Sequence, residues 1–426
     1  MSTKAIILSA ALSVVYLIHG IAFGQLLDIQ VFADKDVYMI GDTIAVSASG
    51  HNLGPGMNVD VHVAILTPDG SIHEAPDWNT DFAPFLEDFH LPQSFSYPKS
   101  DIGTYVVGEL GFPASFPGDY LLVAALTEPW TLEFLTEVSS APFRIEAPAV
   151  PGEDFLSHDG FTRRFLYYVP NNLPSSAVPL VFMLHGAMSM SEGAMYGTTE
   201  ERFNRLADRD KVIVVYPQAI DGRWNDCFSR SGDAPDDVGF ISSLIDHLSS
   251  IHTIDAQRIY AAGYSNGGMM SLRLAVELSG KIAAVASTNG PLPLEGECSD
   301  PVNPVGVLYI GGTDDPIVPF DGSDSIMSAD ETVDFWVSFL ETDATPSVMQ
   351  IPDTVPEDDC TVTVYTYSNG REQTQVSFYR IEGGGHPWPT PSTTGSPLGN
   401  KNRDISGCDE VWWFFARHTL GSVAGK

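Results

Sequence analysis

A chain of 426 residues is longer than one small core needs, and an apolar content of 43% is that of a folded protein of two or three domains. Its 55 acidic against 21 basic residues give a formal charge of −34, which excludes the cationic stripes that hold nucleic acid or anionic lipid. Such a surface suits a protein that meets a neutral polymer or works in salty surroundings.

Lys4 precedes an apolar run from Ala5 to Ile18, and Ala22-Phe23-Gly24 place small residues where a signal peptidase reads. Residues 1–24 are therefore expected to be a signal peptide cleaved after Gly24, giving a secreted or periplasmic protein. The run is shorter than the ~20 residues a span needs, so no membrane contact is expected after cleavage.

Residues 25–147 alternate apolar and polar positions between turns. Leu27–Ala33, Thr43–Ala48, Val59–Leu66, Tyr105–Val107, Asp119–Ala124 and Pro142–Ile145 read as short strands bounded by Gly, Pro, Asn or Asp. That series predicts an immunoglobulin-like β-sandwich, with Ala75 to Lys99 as an irregular excursion. Trp78 and Trp130 fit either its core or an exposed stacking platform for sugar or polymer.

Ala147-Pro-Ala-Val-Pro-Gly152 makes 148–155 a linker. From 156 to 426 the pattern changes to solidly apolar strands, Arg164–Pro170, Pro179–His185, Val212–Tyr216, Ile259–Ala262, Ile282–Ala286, Val305–Ile310 and Val376–Ile381. Between them run helical segments at Glu200–Arg209, Asp237–Ile251, Asn266–Ser279, Glu331–Leu340 and Asp409–His418. Such alternation predicts a mostly parallel sheet with helices on both faces.

Four cysteines, Cys227, Cys298, Cys360 and Cys408, suggest two disulfides in an exported chain, with Cys227–Cys408 and Cys298–Cys360 as the expected pairing. No two of them stand at metal-ligand spacing, so no metal is expected.

Gly263-Tyr-Ser265-Asn-Gly267 stands where an apolar strand turns straight into a helix. The setting is that of a nucleophile elbow: flanking glycines let the chain turn tightly, and the serine hydroxyl is lifted above the sheet. A serine nucleophile needs a base, and the base an orienting acid, each on a loop after a later strand. Gly311-Gly-Thr-Asp-Asp315-Pro follows one such strand, and Glu382-Gly-Gly-Gly-His386-Pro-Trp388 follows another. Ser265, Asp315 and His386 are the expected catalytic set, with Asp314 the alternative acid on the same turn. Leu184-His-Gly-Ala187 ends an early strand, so the backbone N–H groups of Ala187 and Asn266 are the candidate oxyanion hole. His185 reads as structural. Acyl transfer follows: His386 takes the Ser265 proton, the serine attacks an ester carbonyl, and water clears the acyl-enzyme.

Residues from about Phe161 to Thr419 resemble the secreted esterases grouped with polyhydroxybutyrate depolymerases, feruloyl esterases and acetylxylan esterases. The motifs that carry the likeness are Leu184-His-Gly186, Val214-Val-Tyr-Pro217, Trp224-Asn-Asp226, Asp236-Asp-Val-Gly-Phe240, Gly263 to Met270, Asp315-Pro-Ile-Val-Pro319 and Gly383-Gly-Gly-His-Pro-Trp388. The resemblance implies an α/β-hydrolase fold, the same triad, no cofactor, and Trp224 near the acyl pocket; Tyr264 and Trp388 join it as candidate substrate-binding residues. Gly311 departs from a family pattern that often has His there. The expected substrate is an ester, possibly polymeric: a polyhydroxyalkanoate polyester, or feruloyl or acetyl esters of plant polysaccharide. A serine peptidase of the same fold and a non-catalytic polymer-binding protein are the competing readings.

Overall fold

The computed structural model describes residues 26–39, 42–75, 78, 84–107, 117–131, 133–226, 234–294, 301–393 and 395–421. The signal-peptide segment, Cys227 and Cys298 lie outside the described residues. The chain divides into two compact units between Pro148 and Ala149.

The N-terminal unit is built from β1 (Leu27–Ala33), β2 (Val37–Met39), β3 (Thr43–Asn52), β4 (Met57–Leu66), β5 (Ile72–Glu74), β6 (Leu86–Leu91), β7 (Phe95–Val106), β8 (Gly118–Thr127) and β9 (Ser139–Glu146). One sheet has the order β1-β3-β7; the other runs β2-β9-β8-β4-β5, with β6 also paired to β4. Period-two side chains from both sheets, Ile44 and Val46 from one and Val59, Val63, Leu122 and Phe143 from the other, close on a single apolar core. The supposed excursion from 75 to 99 holds β6 and the start of β7. Its strands escape the sequence pattern because Leu-Glu-Asp-Phe-His-Leu91 is nearly all exposed and carries no alternation of burial. Trp78 is buried in the core, whereas Trp130 stands 73% exposed.

The second unit contains one ten-stranded sheet. Its strands are β10 (Gly152–His158), β11 (Phe161–Tyr168), β12 (Val178–Leu184), β13 (Ile213–Pro217), β14 (Ile254–Tyr264), β15 (Ala284–Thr288), β16 (Gly306–Gly312), β17 (Ser347–Gln350), β18 (Thr361–Tyr367) and β19 (Val376–Glu382). The spatial order is β10-β11-β13-β12-β14-β15-β16-β19-β18-β17. Six central strands, β13 to β19 in that order, are parallel, and an antiparallel pair flanks them on either side. Every residue of β12, β13, β15 and β16 is buried, as strands covered on both faces must be. β10 takes up the second half of the segment read as linker; its Gly-Glu-Asp-Phe-Leu-Ser-His sequence is polar because it lies at an edge.

Alternation along β12 shows how the layers form. Leu180, Phe182 and Leu184 face α2 (Asp237–Ile251), α3 (Asn266–Glu277) and α4 (Ala329–Leu340), while Val181 and Met183 face α1 (Arg202–Asp210) and α5 (Gly407–Phe415). Each fully buried Leu, Val or Phe contributes about 1.5–3 kcal/mol, so this central wall is rigid. Cys360 and Cys408 are buried free thiols, and their expected partners, Cys298 and Cys227, lie outside the described residues. Each lies against a backbone carbonyl, Cys360 Sγ 3.3 Å from Asp358 O and Cys408 Sγ 3.9 Å from Thr199 O. Burial pushes the Cys360 thiol up to about 12, with nearby Asp358 adding to it.

Candidate active site

Between β14 and α3 a single residue, Ser265, makes the turn with φ 56° and ψ −123°. A non-glycine residue held there stores about 1–3 kcal/mol. The surroundings enforce it: a Cβ on Gly263 would fall 1.9 Å from Gly267 O, and one on Gly267 would fall 2.4 Å from Leu184 O. Ser265 N donates to Thr288 O at 2.8 Å, tying the elbow to β15. Ser265 itself is half-buried, on the C-terminal edge of the sheet.

The loop after β12 abuts the serine, since a Cβ on Gly186 would lie 3.5 Å from Ser265 Cβ. Ala187 follows directly, and Asn266 occupies the first turn of α3, where helix amides have no i−4 partner and the dipole is positive. His185 is a strut. Its Nδ1 donates to Gly186 O at 2.7 Å and its Nε2 accepts from Ala219 N at 3.1 Å, which fixes a neutral ring; burial also lowers its pKa.

Trp224 is entirely buried and donates Nε1–H to His185 O at 2.9 Å. It lies beside the elbow but, wholly buried, offers no surface to a substrate. Its backbone N–H donates to Asn266 Oδ1 at 2.8 Å, and Asn266 Nδ2 donates to Asp226 Oδ2 at 2.5 Å. Asp237, which pairs with buried Arg163 at 2.6 Å, accepts Asn225 N–H at 2.7 Å. The Asp236-Asp237 motif is thus a brace: Asp236 caps α2 through Gly239 N while Asp237 holds the Trp224 loop.

Asp315 and His386 come together 71 residues apart, with His386 Nδ1 donating to Asp315 Oδ2 at 2.6 Å and side chains only 5% and 1% exposed. The other carboxylate oxygen accepts Ile317 N–H at 2.8 Å and Val318 N–H at 2.9 Å. Asp314 is exposed and accepts from Thr313, so the turn presents Asp315 to the histidine. The Tyr264 ring, one residue before the serine, lies 5.0 Å from the His386 ring and brings imidazole and elbow side by side. Burial and the charge of Asp315 keep the Tyr264 phenol protonated far above its ordinary range.

Asn289 was not legible as a site residue. At the end of β15, with φ 51°, it accepts Gly312 N–H at 3.0 Å and donates to His386 O at 2.8 Å, clamping the acid loop to the histidine loop. The only sequence signal was Asn289-Gly290 punctuating a strand end. Asn289→Ala removes both ties and leaves buried backbone groups unpaired, about 1–3 kcal/mol each. A tenfold to hundredfold loss of kcat at little changed KM is expected; steady-state kinetics with unchanged kcat would show that the clamp does not position His386.

A cleft of about 200 Å³ borders Tyr264 and Trp388. Thr198, Glu200, Thr390 and Lys401 give it polar walls. Thr390 Oγ1 donates to Glu200 at 3.1 Å, and Lys401, its side chain 10% exposed, lies 4.0 Å from the same carboxylate. Desolvation lowers the Lys401 pKa, with Glu200 opposing. Neither Glu200 nor Lys401 carries a motif in the sequence. Among the described residues no group of His, Cys, Asp and Glu could hold a metal ion, and no helix is long and apolar enough to cross a membrane.

Residues 164–336 match the family described as Esterase PHB depolymerase. The putative esterase NocK of Nocardia uniformis subsp. tsuyamanensis is 29% identical over 272 residues, covering 59% of this chain and 78% of that protein. The bifunctional acetylxylan esterase/xylanase XynS20E of Neocallimastix patriciarum is 25% identical over 268 residues, 63% of this chain and 35% of the relative. Poly(3-hydroxyalkanoate) depolymerase C of Paucimonas lemoignei is 28% identical over 257 residues, 54% and 59% respectively. The chain thus spans most of the first relative but only about a third and three-fifths of the other two.

Proposed function

We propose that the second unit, which resembles the esterases described as PHB depolymerases, is a serine carboxylic-ester hydrolase working through an acyl-enzyme. Ser265 is the nucleophile, His386 the general base, and Asp315 the acid that holds the Nδ1–H tautomer so that Nε2 is left to take the serine proton. The Ala187 and Asn266 amides receive the oxyanion, each such donor contributing about 3–4 kcal/mol in the transition state. The buried Asp315–His386 pair beside a left-handed serine is the observation that carries this reading. We also propose that the chain is exported through its apolar N-terminal run and that the N-terminal unit is immunoglobulin-like.

For the substrate, the polar walls of the cleft beside Tyr264 and Trp388 favour an ester bearing hydroxyl groups, such as acetyl or feruloyl esters of plant polysaccharide, over a polyester chain. The test compares the purified protein on acetylated xylan, methyl ferulate and a polyhydroxybutyrate suspension. Acetylated xylan or ferulate is expected to be hydrolysed with the higher kcat/KM, and Lys401→Ala to raise KM for the preferred substrate about tenfold with kcat kept. Faster release of product from polyhydroxybutyrate would replace the polysaccharide reading by the polyester one.

A further inference from the structure

The two sheets of the N-terminal unit do not close along their whole length. In the β4–β6 pair Val59 opposes Phe89 and Val61 opposes Leu86, so Phe89 and Leu86 share the inner face on which Val59 is wholly buried. Yet Phe89 is 38% exposed, Leu86 40%, and Tyr97 on the facing sheet 40%. Inward-facing rings and branched chains that keep more than a third of their surface mark a place where the sheets part. Between them lies a cleft of about 200 Å³, floored by Ala48 and Val63 and flanked by Phe85 and Phe95.

We propose that this cleft is a binding site for a small, uncharged, predominantly apolar ligand, an aromatic ring system or short alkyl chain. Size argues for it: apolar cavities of about 150 Å³ lined by such side chains stay dry and take up benzene. Charge decides the class. The lining contains Asp28 and His51, which oppose each other across the β1–β3 pair, but no Lys or Arg. A carboxylate ligand would find no Lys or Arg to receive it, and a charge of either sign would lose hydration that the apolar walls do not replace. This site stands on the N-terminal unit alone and does not depend on the esterase reading.

Titration of the full chain with the neutral fluorophore N-phenyl-1-naphthylamine tests it, with Ser265 blocked by phenylmethylsulfonyl fluoride so that the elbow is not counted. A saturable rise in emission is expected. The anionic analogue 1-anilinonaphthalene-8-sulfonate should bind at least about tenfold more weakly. Phe89→Asp, which puts a charge at the mouth on a half-exposed strand, and Ala48→Phe, which fills the floor, should each weaken the neutral probe by about tenfold or more. Far-UV circular dichroism identifies a variant that has not folded; Phe89→Asp decides the matter if Ala48→Phe is lost. No saturable emission, or binding unchanged by the folded variants, overturns the site. Equal binding of the two probes overturns the uncharged class.

Discussion

Ser265→Ala is expected to lower kcat on p-nitrophenyl acetate by about 10⁴–10⁶-fold, the largest effect of any single change in the chain. The loss falls on kcat because the oxyanion amides and the substrate cleft remain, and they account for the residual rate. The same position also separates chemistry from strain. Ser265 sits at φ 56°, a conformation that alanine inherits and glycine does not resent. Ser265→Gly should therefore be as inactive as Ser265→Ala yet more stable by about 1 kcal/mol in urea unfolding. Activity within tenfold of wild type in either variant would remove Ser265 from the mechanism.

The second large effect belongs to Asp315→Asn, expected to lower kcat by about 10⁴-fold with the fold intact. Geometry fixes the sign. One carboxylate oxygen accepts the amides of Ile317 and Val318, so an asparagine must keep its own oxygen there and turn its NH₂ toward His386 Nδ1. That nitrogen would then have to accept, the ring proton would move to Nε2, and the atom that should take the serine proton would already hold one. Kinetics on p-nitrophenyl acetate with a thermal melt alongside check it; a fall smaller than about tenfold in a folded variant would mean that the Nδ1–H tautomer is not what Asp315 supplies.

Most of the second unit was legible because its strands are buried on both faces and its helices are long. Asp237–Ile251 is the helix the periodicity predicts, residue for residue, since Val238, Ile241, Leu244, Ile245 and Leu248 fall at helical spacing after a capping Asp236. β14, by contrast, extends back to Ile254 through the half-exposed stretch Ile254-Asp-Ala-Gln-Arg258, where apolar content says nothing. β10 and β17 were missed for the same reason, being edge strands with polar or exposed residues. β18, Thr361-Val-Thr-Val-Tyr-Thr-Tyr367, alternates clearly and is half-buried, and its pattern was there to be read.

The site divides in the same way. Ser265, Asp315 and His386 stand out as candidates because glycine-rich turns after apolar strands are local signals. Asn289, Arg163 with Asp237, and the Glu200–Lys401 pair act through partners from 23 to 201 residues away. Nothing in a linear pattern links such residues; only the order of strands in the sheet does. The disulfide expectation rested on an even number of cysteines, which says nothing of burial: Cys360 and Cys408 stand as buried free thiols in the layer that holds β18 and α5.

Those two thiols carry a consequence of their own. Cys360 and Cys408 both belong to the apolar layer beneath α5, on the side of the sheet away from the α2, α3 and α4 helices. Burial keeps each in its protonated, unreactive form, and a water-soluble alkylating reagent meets them only when that layer opens. At an excess of reagent the alkylation of Cys360 and Cys408 is then a clock: it ticks at the rate at which the layer breathes, and binding of anything that tightens the unit slows it.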